Sequence, residues 1–388
     1  MRILYHHRTL GDGAEGIHIR EMVSAFRSLG HEVRLVGPAA KETPAPASGK
    51  TSRLGILKKL FRGPAYEALE LGYNLAAWLN LSREIREFKP DFIYDRYMIY
   101  NYAVVGLGRK LGIPVFLEFN APLAYERSLE RDERLYFSRL AHHLEARISK
   151  DAFRTITVST PLKEYLVGQG VPGNQVLVMA NGVNPETFHP VSRSAALLKK
   201  YGIAPQSKII GFTGILRPWH GIDMLVKAFC EIHKKHPDAV LLLVGDGAIR
   251  KEIEALSREK DCAKSVIITG RVPHDRVNEH IGLFDLAVSP KTTFYASPMK
   301  IPEYMAQAKA VVAPDTPNIH DLIENRHTGC LFRKDSSHSL ARTLDSLLGD
   351  DELRSQVGQA GYREVYARLN WQQIARNIIS VYEAGGGN

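Results

Sequence analysis

Apolar positions along this chain fall into two alternating patterns: short β-branched or aliphatic runs, and longer stretches with apolar residues at helical spacing. This alternation, kept from one end to the other, predicts parallel sheets with helices on both faces. In the first half the strand candidates are Arg2–Tyr5, Glu32–Val36, Asp91–Tyr94, Pro114–Phe119, Thr155–Val158 and Gln175–Met179. In the second they are Lys208–Thr213, Ala239–Val244, Val266–Thr269, Leu286–Ser289, Ala310–Ala313 and Gly329–Phe332. The turn-rich Asn181-Gly-Val-Asn-Pro185, followed by Phe188-His-Pro190, reads as the junction between two similar halves. The expected domains are residues 1–185 and 186–368. Beyond Ser336 the pattern is helical throughout, and Trp371 opens a last amphipathic stretch, about 369–388, expected to pack back on the first domain.

Length supports two domains, because 388 residues exceed what one hydrophobic core usually serves. Apolar content of 44% and charged content of 24% are those of a globular chain, and no apolar run is long enough to span a bilayer. The opening MRILYHHRTL lacks the apolar core and small-residue cleavage site of a secretory signal, so the cytoplasm is the expected compartment. The net charge of +9 is spread along both halves rather than gathered on a basic, aromatic-rich face, which argues against nucleic acid and suits phosphorylated ligands. Cys230, Cys262 and Cys330 lie far apart with no C-x-x-C spacing and are expected as buried thiols rather than as a disulfide framework or zinc site.

Residues 37–65 break the pattern. Pro, Ala, Ser and Gly dominate up to Gly49, and then Lys50, Arg53, Lys58, Lys59 and Arg62 follow without an acidic partner until Glu67. The stretch 50–62 reads as a loop with a solvated basic face, or as an element that docks the acceptor or makes a weak contact to an anionic membrane surface, peripheral at the inner face.

Gly11-Asp-Gly13-Ala-Glu-Gly16 matches the dinucleotide fingerprint G-x-G-x-x-G between a strand and a helix. His6 to Leu10 intervene before its first glycine, and the second strand ends Leu35-Val36-Gly37 without the acidic residue that would hold a ribose, so NAD binding is not expected. A glycine loop ending at Gly16 still suits an anion at a helix N-terminus, and is read as facing donor phosphates or acceptor.

The second half carries Thr213-Gly-Ile-Leu-Arg-Pro-Trp-His-Gly-Ile-Asp223, then Leu243-Val-Gly-Asp-Gly247, then Ser297-Pro-Met-Lys-Ile-Pro-Glu-Tyr-Met-Ala306 running into Lys309-Ala-Val-Val-Ala313. With Asn181-Gly182-Val183 these resemble, over nearly the whole chain, the retaining glycosyltransferases of family 4. The resemblance implies an α/β fold of two Rossmann-like doubly wound domains facing across a cleft (GT-B), with a nucleotide-diphosphate sugar, UDP- or GDP-type, as co-substrate and no further cofactor. It implies a donor site at the carboxyl ends of the second-half strands, around the glycine turns at Gly214 and Gly245. There Glu303 would hold the ribose, backbone near Val272 would meet the base, and the N–H groups of Met299 to Ile301, after Ser297 and Pro298, would face the diphosphate.

The chain departs from the family pattern in three places. The first glutamate of the paired-glutamate motif falls at Tyr295, which removes the usual contact to the donor sugar and suits a deoxy or otherwise modified one. The arginine and lysine that clamp the diphosphate fall at Ile215 and His220. The leaving diphosphate still needs positive charge, so Arg217 and Lys300 are the expected substitutes, with His220 third. Where family members carry a histidine near the donor sugar this chain offers Glu118 and Asn120, at the end of a first-half strand, with Asp95, Arg96 and Tyr97 as acceptor-side candidates. No D-x-D occurs, and His233-x-x-His236 has no third ligand in view, so no metal is expected in the chemistry. The acceptor is a glycan, a lipid-linked or a small molecule. Two other readings share the architecture: a nucleotide-sugar 2-epimerase, and a non-catalytic nucleotide-sugar-binding subunit.

Overall fold

The computed structural model describes residues 1–9, 11, 13–37, 63–129 and 135–385, so the basic stretch 50–62 lies outside the described residues. The chain divides into two units, Met1–Met179 with Ala375–Asn388, and Ala180–Ile374.

The first unit is a six-stranded parallel sheet, β1 (Arg2–His6), β2 (Glu32–Val36), β3 (Phe92–Arg96), β4 (Val115–Phe119), β5 (Arg154–Thr157) and β6 (Val176–Val178), in the order β2-β1-β3-β4-β5-β6. Its helices are α1 (Gly13–Ser28), α2 (Pro64–Phe88), α3 (Ala103–Leu111), α4 (Leu123–Leu129), α5 (Ser138–Asp151) and α6 (Thr160–Gly168). Every residue of β3 and β4 is buried, so their apolar residues do not alternate with exposed polar ones, and the charged Asp95, Arg96 and Glu118 are buried along with them. Helix starts follow local chemistry: the Ser159 hydroxyl accepts the Leu162 N–H ahead of α6, and Pro161 occupies a position whose missing N–H costs nothing.

The second unit holds β7 (Lys208–Thr213), β8 (Ala239–Val244), β9 (Val266–Ile268), β10 (Leu286–Val288), β11 (Ala310–Asp315) and β12 (Cys330–Arg333), all parallel, in the order β12-β11-β10-β7-β8-β9. Between and after them run α7 (Ala195–Tyr201), α8 (Ile222–His233), α9 (Arg250–Glu259), α10 (Val277–Ile281), α11 (Lys300–Ala306), α12 (Pro317–His320), α13 (Ser337–Leu348) and α14 (Asp351–Ala367). Successive strand residues feed opposite faces: Ile210, Leu241, Leu243 and Val312 join one core, while Ile209, Leu242, Val244 and Val311 join the other. The last helix, α15 (Trp371–Gly385), starts in the second unit and from Ala375 onward belongs to the first, where Tyr382 lies 5.2 Å from Phe92.

One expectation is overturned. Cys230 and Cys262 form a disulfide, with Cα atoms 5.6 Å apart, and only Cys330 is a free, buried thiol. Sequence spacing could not show this, because the pair meets through the packing of α8 beside α9 rather than through a local motif. The histidines His233 and His236 are likewise employed structurally, His233 stacked on Phe229 and His236 bonded to Asp345 at 2.8 Å.

Two glycines give opposite tests of this packing. In β7 a Cβ on Gly211 would lie 2.2 Å from the Phe284 ring, so Gly211→Ala is expected to cost about 1–3 kcal/mol by overpacking. On α2 a Cβ on Gly72 would meet nothing within 4 Å, so Gly72→Ala is expected to add about 0.5–1 kcal/mol. Denaturant midpoints of the two variants check both signs.

Candidate functional site

Doubly wound sheets bind ligands where the strand order reverses, because the connections of two neighbouring strands leave to opposite faces and open a crevice at their carboxyl ends. In the second unit that point lies between β7 and β10. The loop beyond β7 is pressed onto the loop beyond β8. The Gly214 N–H donates to the Val244 carbonyl at 3.0 Å, and a Cβ on Gly245, whose φ is 147°, would lie 2.0 Å from the Gly214 oxygen. Only glycine fits there.

One tie then holds α11 to the end of β7, and a second anchors the turn ahead of α11 to the segment that opens this unit. The Tyr304 hydroxyl accepts the Thr213 N–H at 2.8 Å, and Asn181 grips Ser297 twice, its N–H donating to Oγ at 3.0 Å and its side-chain amide to the carbonyl at 2.8 Å. The result is a cation set over an aromatic ring: the Lys300 ammonium stands 4.1 Å from the centre of Phe212 and 3.4 Å from where a Gly214 side chain would begin. Among the described residues it makes no hydrogen bond or ion pair. Burial pulls this ammonium down to about 8, against the opposing pull of Glu303, so it is still mostly protonated at neutral pH.

Arg217 and His220 share the same loop. Arg217 is exposed with its guanidinium 5.1 Å from the Trp219 ring, and the His220 Nδ1–H donates to the Ile215 carbonyl at 2.6 Å. Burial and then the field of Lys300 push His220 down to about 4. Three basic groups expected from two motifs therefore gather beside one glycine turn.

The other expected residues are placed unevenly. Glu303 is half-buried on α11, Val272 packs on the second core, and Tyr295 is buried edge-on to Phe294 at 5.2 Å. Of the amides expected to face a diphosphate, that of Ile301 is already donated to the Pro298 carbonyl at 3.1 Å, and its side chain is fully buried; the tight turn into α11 consumes it. The Met299 and Lys300 amides make no backbone hydrogen bond of this kind.

In the first unit the order reverses between β1 and β3, and the register there places His6 beside Asp95 and Arg96 beside Glu118. His6 Nδ1 lies 2.7 Å from Asp95, whose carboxyl is raised by burial against the pull of that histidine. Glu118, expected to reach the sugar, is 2% exposed and saturated by the chain's own donors: the Tyr5 hydroxyl at 3.0 Å, Arg96, Asn120 and His18 at 3.4 Å. Burial alone would raise its carboxyl, but His18 and Arg96 hold it far below the usual carboxylate range. It holds Arg96 and the half-buried Asn120 in place. Tyr97 is also committed inward, its hydroxyl donating to Glu145 at 3.0 Å. Gly16 sits under the turn ahead of α1, where any Cβ would meet the Gly11 oxygen at 1.7 Å. Sequence reasoning missed His6, His18, Phe212 and Tyr304; the two histidines could have been found by asking which residues border the strand-order reversal.

Two family matches divide the chain: Glycosyltransferase Family 4 over residues 15–187 and Glycosyl transferases group 1 over residues 194–364. A GDP-mannose-dependent alpha-mannosyltransferase of Mycobacterium tuberculosis is 25% identical over 380 residues, covering 95% of this chain and 92% of that protein. A sulfoquinovosyl transferase of Arabidopsis thaliana is 23% identical over 368 residues, 92% of this chain and 68% of its own. An uncharacterized glycosyltransferase of Methanocaldococcus jannaschii is 26% identical over 250 residues, 63% of this chain and 64% of that protein. Among solved structures, Anabaena HepE in complex with UDP has a TM-score of 0.74 at 17% identity, covering 99% of this chain and 100% of its own. Sucrose-phosphate synthase from Thermosynechococcus elongatus also gives 0.74, at 19% identity, covering 99% of this chain and 98% of that one. The structural likenesses establish the fold.

The buried cluster around Glu118 sets an acid limit. Because its folded-state pKa lies below the unfolded one, its contribution is complete above about pH 5 and is lost as pH falls through and below the ordinary carboxylate range. Glu118→Gln, which strands Arg96, is expected to cost about 3–5 kcal/mol at neutral pH and to flatten the acid side of the stability profile, as measured by urea unfolding between about pH 3 and 7.

Proposed function

Because the chain belongs to glycosyltransferase family 4, we propose that it moves a sugar from a nucleoside-diphosphate donor, held by the second unit, to an acceptor with retention of anomeric configuration and without a metal ion. That it is a glycosyltransferase of GT-B type follows from the matches and the fold. The observation that carries the finer reading is Lys300, an ammonium without a bonded counter-anion, fixed over Phe212 at the strand-order reversal with Arg217 and His220 beside it.

A departing diphosphate gathers negative charge as the glycosidic bond breaks. Cations already fixed at that position stabilise the transition state without reorganising. Lys300 supplies a point charge from a desolvated site, where its field is strong; Arg217 supplies a fork able to bind two oxygens. The Met299 and Lys300 amides add donors, and Glu303 is the candidate for the ribose hydroxyls. Two cations, Lys300 held over Phe212 and the exposed Arg217, supply the charge compensation for which many phosphate-transferring sites recruit a metal. Retention is expected if the leaving phosphate itself takes the acceptor proton on the same face of the sugar, which requires no dedicated nucleophile.

UDP or GDP is the expected carrier; the structures of Anabaena HepE are complexes with UDP or UDP-glucose, and the mycobacterial relative is a GDP-mannose-dependent mannosyltransferase. The first-unit residues Asn120 and Arg96, braced by Glu118, are candidates for the acceptor side, and the acceptor is a glycan, a lipid-linked or a small molecule. No described helix is long and apolar enough to cross a membrane. The proposal places the enzyme in the cytoplasm, where nucleotide sugars are made, with residues 50–62 as a weak contact to an anionic membrane surface.

Alanine at either Arg217 or Lys300 is expected to lower the transfer rate roughly 10–1000-fold, with losses that do not simply add in the double variant, since both act on one group. Glu303→Ala is expected to weaken donor binding by about 1.5–3 kcal/mol with the fold intact. Saturating chelator is expected to leave the rate within a factor of about two. Near-normal rates in both single variants, or chelator inactivation reversed by magnesium, would contradict the site.

A further inference from the structure

A histidine at the position where family members commonly place a lysine changes the physics of the grip. The His220 Nδ1 is committed: a carbonyl can only accept, so its 2.6 Å bond to the Ile215 oxygen requires Nδ1 to carry the proton in every state. In the neutral ring Nε2 is then a bare lone pair. Such an atom repels a phosphate oxygen, which has no proton to offer. It binds one well only after gaining a proton of its own.

The surroundings decide which form is present. His220 lies between Phe212 and Trp219, with ring centres 6.0 and 6.2 Å away. The charged groups around it are Arg217 on its own loop, Lys300 with Glu303 on α11, and Lys291 in the loop after β10, which adjoins Gly221 and pairs with Asp335 at 3.5 Å. Lys300 and Arg217 both oppose a further positive charge, and burial adds to them. A diphosphate bound to those two cations would reverse the sign of the field at Nε2.

On that reading of the donor site, we propose that His220 is neutral in the free protein and takes a proton from solvent onto Nε2 as a nucleoside diphosphate binds, becoming a third donor to its phosphate. Binding is thereby coupled to proton uptake, so affinity rises as pH falls. A lysine at this position, charged throughout, would give no such dependence.

The coupling is measured by calorimetric titration of UDP, GDP, ADP and dTDP into the protein at about pH 6, in buffers of different ionisation enthalpy. At that pH Lys300 is already protonated and contributes no uptake. Wild type is compared with His220→Gln and His220→Lys, so that protons released by the terminal phosphate cancel; thermal transitions confirm that both variants fold. The tightest-binding nucleotide is expected to draw in roughly half a proton or more beyond that seen in either variant. Its wild-type affinity is expected to fall several-fold from about pH 5.5 to 7.5 relative to His220→Lys. Binding with the same uptake in all three proteins overturns the coupling and leaves the donor site standing; it would mean that Nε2 accepts from a hydroxyl instead. If no nucleotide binds any of the three, the donor-site reading falls and the coupling with it.

Discussion

A parallel sheet whose strand order reverses beside its first strand cannot close the space above that point, because the two chains leaving it turn to opposite faces. Both units of this protein are built on that constraint, and what fills the opening differs. In the first, cross-strand register sets His6 beside Asp95 and Arg96 beside Glu118, and these side chains pair with one another in a buried network. In the second, the Tyr304 hydroxyl of α11 takes the Thr213 N–H at the end of β7, which would otherwise be stranded. One opening is filled by side chains that partner each other. The other holds an ammonium with no bonded counter-charge.

That contrast divides the work physically. Glu118 is costly to expose and costly to remove, since several donors depend on it, so its part is to keep Arg96 and Asn120 in place. Lys300 is the reverse case: burial without a bonded anion leaves its charge partly uncompensated, and an anionic ligand would relieve that. The glycines at 214 and 245 let the two backbones beside it touch, which keeps that turn compact.

The fold was legible because buried parallel strands announce themselves as short apolar runs; all twelve strand candidates correspond to strands, with ends displaced by a residue or two. β3 reaches Arg96 rather than stopping at Tyr94, since charged residues continue a strand when the neighbouring strands bring them partners. Motif order located the glycine turns, Lys300 and Glu303. The sequence could not tell that Glu118 is saturated, that the Ile301 amide is consumed by its own turn, or that Cys230 meets Cys262. Each depends on a neighbour distant along the chain, and no local spacing encodes it.

The measurement that bears most directly on the central claim is thermal stabilisation of the whole protein by a panel of nucleotide sugars, in wild type and in Lys300→Ala. A ligand that binds only the folded state raises its stability with the logarithm of its concentration over its dissociation constant. The account predicts that at least one nucleotide sugar raises the melting temperature in this way and that most of the rise disappears in Lys300→Ala. A panel in which no nucleotide sugar stabilises the wild type, or one whose effect is undiminished in the variant, would contradict it.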